Sequence, residues 1–148
     1  MRRGVVLSIF FFVLFSFFSP AAFGQVQTRL RIIRASNVGS NVDPTLSDVH
    51  KDLGSLFSFT SYRLLKDESF HLSPAEPSSI SAWQGRITIQ TTLIGLHKAV
   101  AELRIRVIRE GKDILNTQVG LSRGRTVLIG GPRLRDGGVI IYALSANF

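Results

Sequence analysis

Residues 85–108 alternate. From Gly85 to Leu96, Ile87, Ile89, Thr91 and Leu93 fall on one face, and Arg86, Thr88, Gln90 and Thr92 on the other. From Ala99 to Ile108, Ala99, Ala101, Leu103, Ile105 and Val107 oppose Val100, Glu102, Arg104, Arg106 and Ile108. A period of two over so long a run demands half-buried β-strands and is incompatible with helix. Glu110-Gly111-Lys112 supplies a tight turn, Asp113–Leu121 a further strand, and Ser122-Arg123-Gly124 another turn. Arg125–Ile129 reads as a short apolar strand, Gly130–Gly138 as a Gly/Pro/Arg loop, and Val139–Ala146 as the closing strand. Short turns between strands mean antiparallel hairpins and exclude βαβ units.

Upstream, Leu30 and Ile32 alternate with arginines, which predicts a strand over Thr28–Arg34. Asp43 as a cap and Pro44 at the first helical position begin the single expected helix. Leu46, Val49, Leu53, Leu56 and Phe57 continue it on one face as far as Phe57. Phe59–Lys66 and Ser69–Ser73 are expected to form a hairpin about a turn at Asp67-Glu68, followed by a loop with two prolines over Pro74–Ser81. The expected fold class is therefore α+β, mostly β. One N-terminal helix packs on an antiparallel meander or sandwich-like sheet. A strand-helix-hairpin unit (28–73) and a loop (74–82) precede the meander (83–148).

The first 24 residues are of a different kind. Arg2 and Arg3 precede Val5–Phe18, fourteen residues without charge, and Ala22-Phe23-Gly24 places small residues at both positions that a signal peptidase inspects. The run is shorter than the roughly 20 residues of a spanning helix. Residues 1–24 are expected to be a secretory signal and residues 25–148 one β-rich domain, with a retained anchor as the alternative. The expected location is the periplasm or outer membrane of a Gram-negative bacterium.

Composition narrows the chemistry. The chain has no cysteine, which removes thiol catalysis, thiolate metal sites and lipoprotein acylation. Net charge is +8, spread along the chain rather than gathered in blocks. Outside the cytoplasm such an excess suits acidic protein, anionic lipid or acidic polymer, and nucleic acid is not expected. Gly120-Leu121-Ser122-Arg123-Gly124 has the letters of a nucleophile elbow, but Thr126-Val127-Leu128-Ile129 after it is a strand where that elbow needs a helix. His50, His71 and His97 each stand alone, so neither a metal nor any other cofactor is expected. No carboxylates form a catalytic pair, and an enzyme is not expected. Trp83, beside the Pro-Ser loop, is the one aromatic placed for recognition.

The segment Leu121-Ser122-Arg123-Gly124-Arg125-Thr126-Val127-Leu128-Ile129-Gly130-Gly131 resembles the C-terminal signature of bacterial secretins, an outer-membrane pore family. The resemblance spans residues 85–131 and implies a small secretin-like β module. Secretin pores come from much longer chains, so it does not imply a pore. Gly124, Gly130 and Gly131 would occupy the matching turn positions. The rest of the chain resembles small exported bacterial proteins.

The expected function is protein–protein contact in the cell envelope. Sheet edges and the basic strand faces of Arg29, Arg31, Arg104 and Arg106 would orient an acidic partner. The alternative is a periplasmic binder of an anionic ligand or membrane surface, through Arg123, Arg125, Arg133 and Arg135 in two neighbouring loops.

Overall fold

A computed structural model describes residues 25–148. The expected signal at 1–24 lies outside the described residues. Eight strands form two four-stranded antiparallel sheets, ordered β2-β1-β8-β7 and β3-β4-β5-β6. The strands are β1 (Val26–Ser36), β2 (Ser61–Leu72), β3 (Ser78–Ala82), β4 (Ile87–His97), β5 (Val100–Arg109), β6 (Lys112–Ser122), β7 (Thr126–Arg133) and β8 (Val139–Asn147).

The alternation of residues 85–108 does what its period requires. Ile87, Ile89 and Leu93 of β4 and Ala101, Leu103, Ile105 and Val107 of β5 are buried in one core. The same core contains Val26, Leu30 and Ile32 of β1 and Ile140, Tyr142, Leu144 and Ala146 of β8, so both sheets contribute to it. The β5–β6 turn places Glu110 at φ 50° and Gly111 at φ 77°, the left-handed pair of a two-residue hairpin loop.

β1 and β8 are central in their sheet and covered on both faces. Their remaining inward positions, Ile33, Ala35, Ile141 and Ala143, join Leu46, Val49, Leu53 and Tyr62 in a second cluster. This explains why β8 reads as a nearly continuous apolar run.

The helical region differs from expectation. Asp43 caps a 3₁₀ turn, Pro44–Leu46, with its Oδ1 accepting from the Thr45 N–H at 3.0 Å. The helix proper, α1, is His50–Leu56, and it follows β1 rather than opening the domain. Leu46, Val49 and Leu53 are buried as their spacing requires, while Leu56 is exposed. The break between the turn and α1 contains Asp48, whose carboxylate takes two hydrogen bonds from Arg31, at 2.9 and 2.8 Å. Arg31 is therefore no surface charge. Its side chain is 2% exposed, against 53% for Asp48.

Asp67-Glu68 is not a turn either, for β2 runs straight through it. Arg29 on the neighbouring strand donates to both Asp67 oxygens at 2.8 and 2.5 Å, so a charged pair normally found in solvent is accommodated within a ladder. The Pro-Ser loop contains β3, a five-residue edge strand paired with β4. The single meander expected over 83–148 is split after β6, since β7 and β8 belong to the sheet of β1 and β2. β8 returns to lie between β1 and β7, placing both ends of the domain in one sheet.

Gly130 and Gly131 lie in β7, not in a turn, whereas Gly124 does turn, at φ 73°. A Cβ on Gly131 would stand 2.7 Å from the Tyr142 ring and 2.8 Å from the Ile140 carbonyl oxygen. Close approach of two backbones demands glycine there. Pro132 costs no ladder bond, because it occupies the irregular stretch between Gly130 and Arg133 on an edge strand. Gly131→Ala is expected to destabilise the domain by about 1–3 kcal/mol through overpacking, whereas Gly124→Ala costs only the left-handed strain of about 1–2 kcal/mol. Urea denaturation of both variants checks the order.

Candidate functional site

Three segments meet at the end of the molecule where β3 ends and β4 begins. The β3–β4 connection holds Trp83 at φ 50° and Gln84 at φ 56°, followed by Gly85 at φ 82°. Arg86 closes it by donating its N–H to the Trp83 carbonyl at 3.1 Å. Two successive non-glycine residues in the left-handed region are strained, and such strain persists only where the surroundings enforce it. Beside them, β4 pairs Ile87 with Arg109 of β5, and the Glu110 N–H reaches the Arg86 carbonyl at 3.4 Å. Arg86, Arg109 and Glu110 are thereby neighbours.

The third segment comes from the β7–β8 loop. Leu134 packs against the core, and its N–H donates to the Gly138 carbonyl at 2.7 Å. Asp136 accepts from the Gly138 N–H at 3.0 Å and forms an ion pair with Arg34 of β1. The hydrogen bond from Gly138, joined by the nearby Arg34 charge, holds the Asp136 carboxyl below its ordinary pKa. With Leu134 turned inward and Asp136 tied to β1, Arg133 and Arg135 are left exposed.

Together these segments line an open cleft of about 780 Å³. Its walls carry four guanidinium groups, of Arg86, Arg109, Arg133 and Arg135, against the single carboxylate of Glu110, with Trp83 and Pro132 among the apolar surfaces. Arg29, Arg31, Arg34 and Arg106 each have a carboxylate partner, but among the described residues no ion pair involves the four cleft arginines. Four unneutralised guanidinium groups around one opening attract carboxylates or phosphates, each of which an arginine fork can take in a bidentate fashion.

The six arginines proposed from sequence are thus divided among three places. Arg133 and Arg135 belong to the cleft. Arg104 and Arg106 line a smaller groove of about 460 Å³, where Arg106 is engaged by Asp113 at 2.8 Å. Arg123 and Arg125 lie at the β6–β7 turn, with Arg123 over the Phe148 ring at 5.1 Å from its centroid. The two loops are not neighbours. The eight residues of β7 separate them, roughly 26 Å at the usual strand rise.

Sequence reasoning did not select Arg86 and Arg109. Their signal was legible in the hairpin register, since a strand beginning at Arg86 and its partner ending at Arg109 must bring the two together. That Arg133 and Arg135 join them depends on the return of β8 to β1, for which no local pattern exists.

Ser122 ends β6 and is followed by a turn and a strand, so the elbow geometry is absent at this serine. His50 starts α1, His71 lies in β2 and His97 ends β4. No group of three metal-ligating side chains converges among the described residues. Burial pushes the Tyr142 hydroxyl up to about 12, and it has no hydrogen-bond partner in the core. No helix among the described residues is long and apolar enough to cross a membrane.

No protein-family model, no curated protein and no solved structure matches this chain.

Proposed function

We propose that this chain is a non-enzymatic exported protein of a bacterial cell envelope that works by binding an acidic partner protein in the arginine cleft. The observation that carries the proposal is the convergence of four unpaired arginines and the chain's one tryptophan on a single opening. Arginine and tryptophan are the residues most enriched where a few side chains dominate an interface. The two sheets act as a sandwich-like scaffold, and the strained Trp83-Gln84 turn and the Leu134 anchor present the binding groups on it. The envelope setting rests on sequence: the basic start, the apolar run Val5–Phe18, the small residues Ala22 and Gly24, and the likeness of residues 85–131 to the secretin signature. On this view the chain is a secretin-like module that serves an envelope assembly.

A photo-crosslinking residue in place of Gln84, at the cleft, should capture an acidic envelope protein in the native host. The same residue in place of Asn116, on the outer face of β6, should not. The adduct should disappear when Arg133→Glu and Arg135→Glu are combined. Equal capture at both positions, or capture indifferent to the charge reversal, would remove the proposal. A small anionic ligand or acidic polymer is the second reading, favoured by the openness of the cleft. It predicts no protein adduct but salt-sensitive binding of the anion itself.

A further inference from the structure

At the opposite end of the molecule the β4–β5 hairpin closes on Lys98-Ala99, with His97 paired to Val100. Three of the seven large apolar side chains that the domain leaves exposed are on this one hairpin: Ile94 at 42%, Leu96 at 39% and Val100 at 37%. Ile94 falls on the outward face of the alternation, and the bulge between Leu93 and Gly95 sets Leu96 opposite buried Ala101, where it is still 39% exposed because it lies at the open end of the hairpin. The other four, Val38, Leu56, Leu65 and Ile114, lie on separate elements.

Cations flank this tip. Lys98 is at its apex. Val100 pairs with Ser122, so the turn carrying Arg123 and Arg125 lies alongside. The Gly124 N–H bonds to the Ala146 carbonyl at 3.0 Å and Arg123 covers Phe148, which fixes that turn against the chain's last strand. The carboxylates at this end are set back from the apex: Glu102 lies opposite Gly95, and Glu76 follows Ala75, whose N–H donates to the Leu93 carbonyl at 3.1 Å. Val26 begins β1 opposite Leu72, and Pro74 bridges to Leu93. The start of β1 therefore lies at this same end.

We propose that the β4–β5 tip is a membrane-surface contact, in which Ile94, Leu96 and Val100 enter the interface of an anionic bilayer while Lys98, Arg123 and Arg125 meet its headgroups. Apolar side chains at the apex with cations beside them match the layering of hydrocarbon beneath anionic headgroups. The contact is separate from the arginine cleft and leaves the cleft facing away from the membrane.

The chain has no cysteine, so a single one reports its own position. Ala99→Cys in the full chain is labelled with a polarity-sensitive dye and mixed with vesicles of phosphatidylcholine, with or without phosphatidylglycerol. Emission should shift to the blue, and be quenched by nitroxide-labelled lipid, only when phosphatidylglycerol is present. A dye at Glu110→Cys, at the other end, should not respond. Lys98→Gln and Arg123→Gln should each weaken the response about fivefold, and Leu96→Ser should reduce it further. Arg133→Glu with Arg135→Glu should leave it unchanged, which separates this contact from the cleft. A tip dye that stays in water, responds equally on neutral vesicles, or responds no more than the dye at position 110 would overturn the proposal, as would a response unaffected by Leu96→Ser.

Discussion

Ile105→Ala is expected to cost about 2–5 kcal/mol, enough to remove most of the stability of a domain this size. Ile105 lies in the middle of β5, paired with Thr91 on one side and Thr117 on the other, and is fully buried. Its side chain belongs to the core to which both sheets contribute, so truncation leaves a cavity that neither sheet can close alone. By contrast Ile114→Ala, at an exposed position of β6, should change stability by no more than about 0.5 kcal/mol. Parallel urea titrations decide the matter. Equal costs at the two positions would mean that the sheets do not share a core.

Asp48→Ala has the second large effect, about 2–3 kcal/mol, because it strands a buried guanidinium. Arg31 is held under the 3₁₀ turn and α1 with Asp48 as its ion-pair partner, and the half-exposed Asp48 moderates the loss through its contact with water. Combining Asp48→Ala with Arg31→Met should restore much of the stability, since no charge then remains buried. The pair also gives a pH signature. The Arg31 hydrogen bonds hold the Asp48 carboxyl below its ordinary value of 3.8. A depressed folded-state pKa contributes stability that is full above the unfolded value and is lost as pH falls through the folded one. Asp67, depressed in the same way by Arg29, adds to the effect. The domain should thus lose stability as pH drops below about 4, and Asp48→Ala should flatten that dependence without abolishing it. A variant as acid-sensitive as the parent would show that the Arg31–Asp48 pair does not form in solution.

How far the sequence discloses this architecture depends on whether the signal is local. The strands β4, β5 and β6 are legible because one face meets a core and the other meets water, and period two records that difference directly. Asp43, Pro44, Leu46, Val49 and Leu53 announce a capped helical segment. The break at Asp48 is not announced, because it coincides with an ion pair to a residue seventeen positions earlier. Asp67-Glu68 carries the composition of a turn, and only the presence of Arg29 on the next strand makes it strand. Gly130-Gly131 suggests a turn for the same reason, while its actual cause, the Tyr142 ring and Ile140 carbonyl behind Gly131, lies in another strand. The site follows the same rule. Arg133 and Arg135 stand out as a basic loop, Arg86 and Arg109 look like ordinary solvent-facing strand residues, and the return of β8 to β1 unites them.

The most direct test of the arginine cleft uses Trp83, the chain's single tryptophan, which is half-buried in the cleft lining. Its emission is followed while an acidic peptide is added, at low and at high salt. The cleft predicts a saturable change that weakens as salt rises, disappears with Arg133→Glu and Arg135→Glu, and survives Arg104→Gln and Arg125→Gln. An emission that does not respond to the peptide, or that responds identically in all these variants, would contradict an acid-binding site at this end of the molecule.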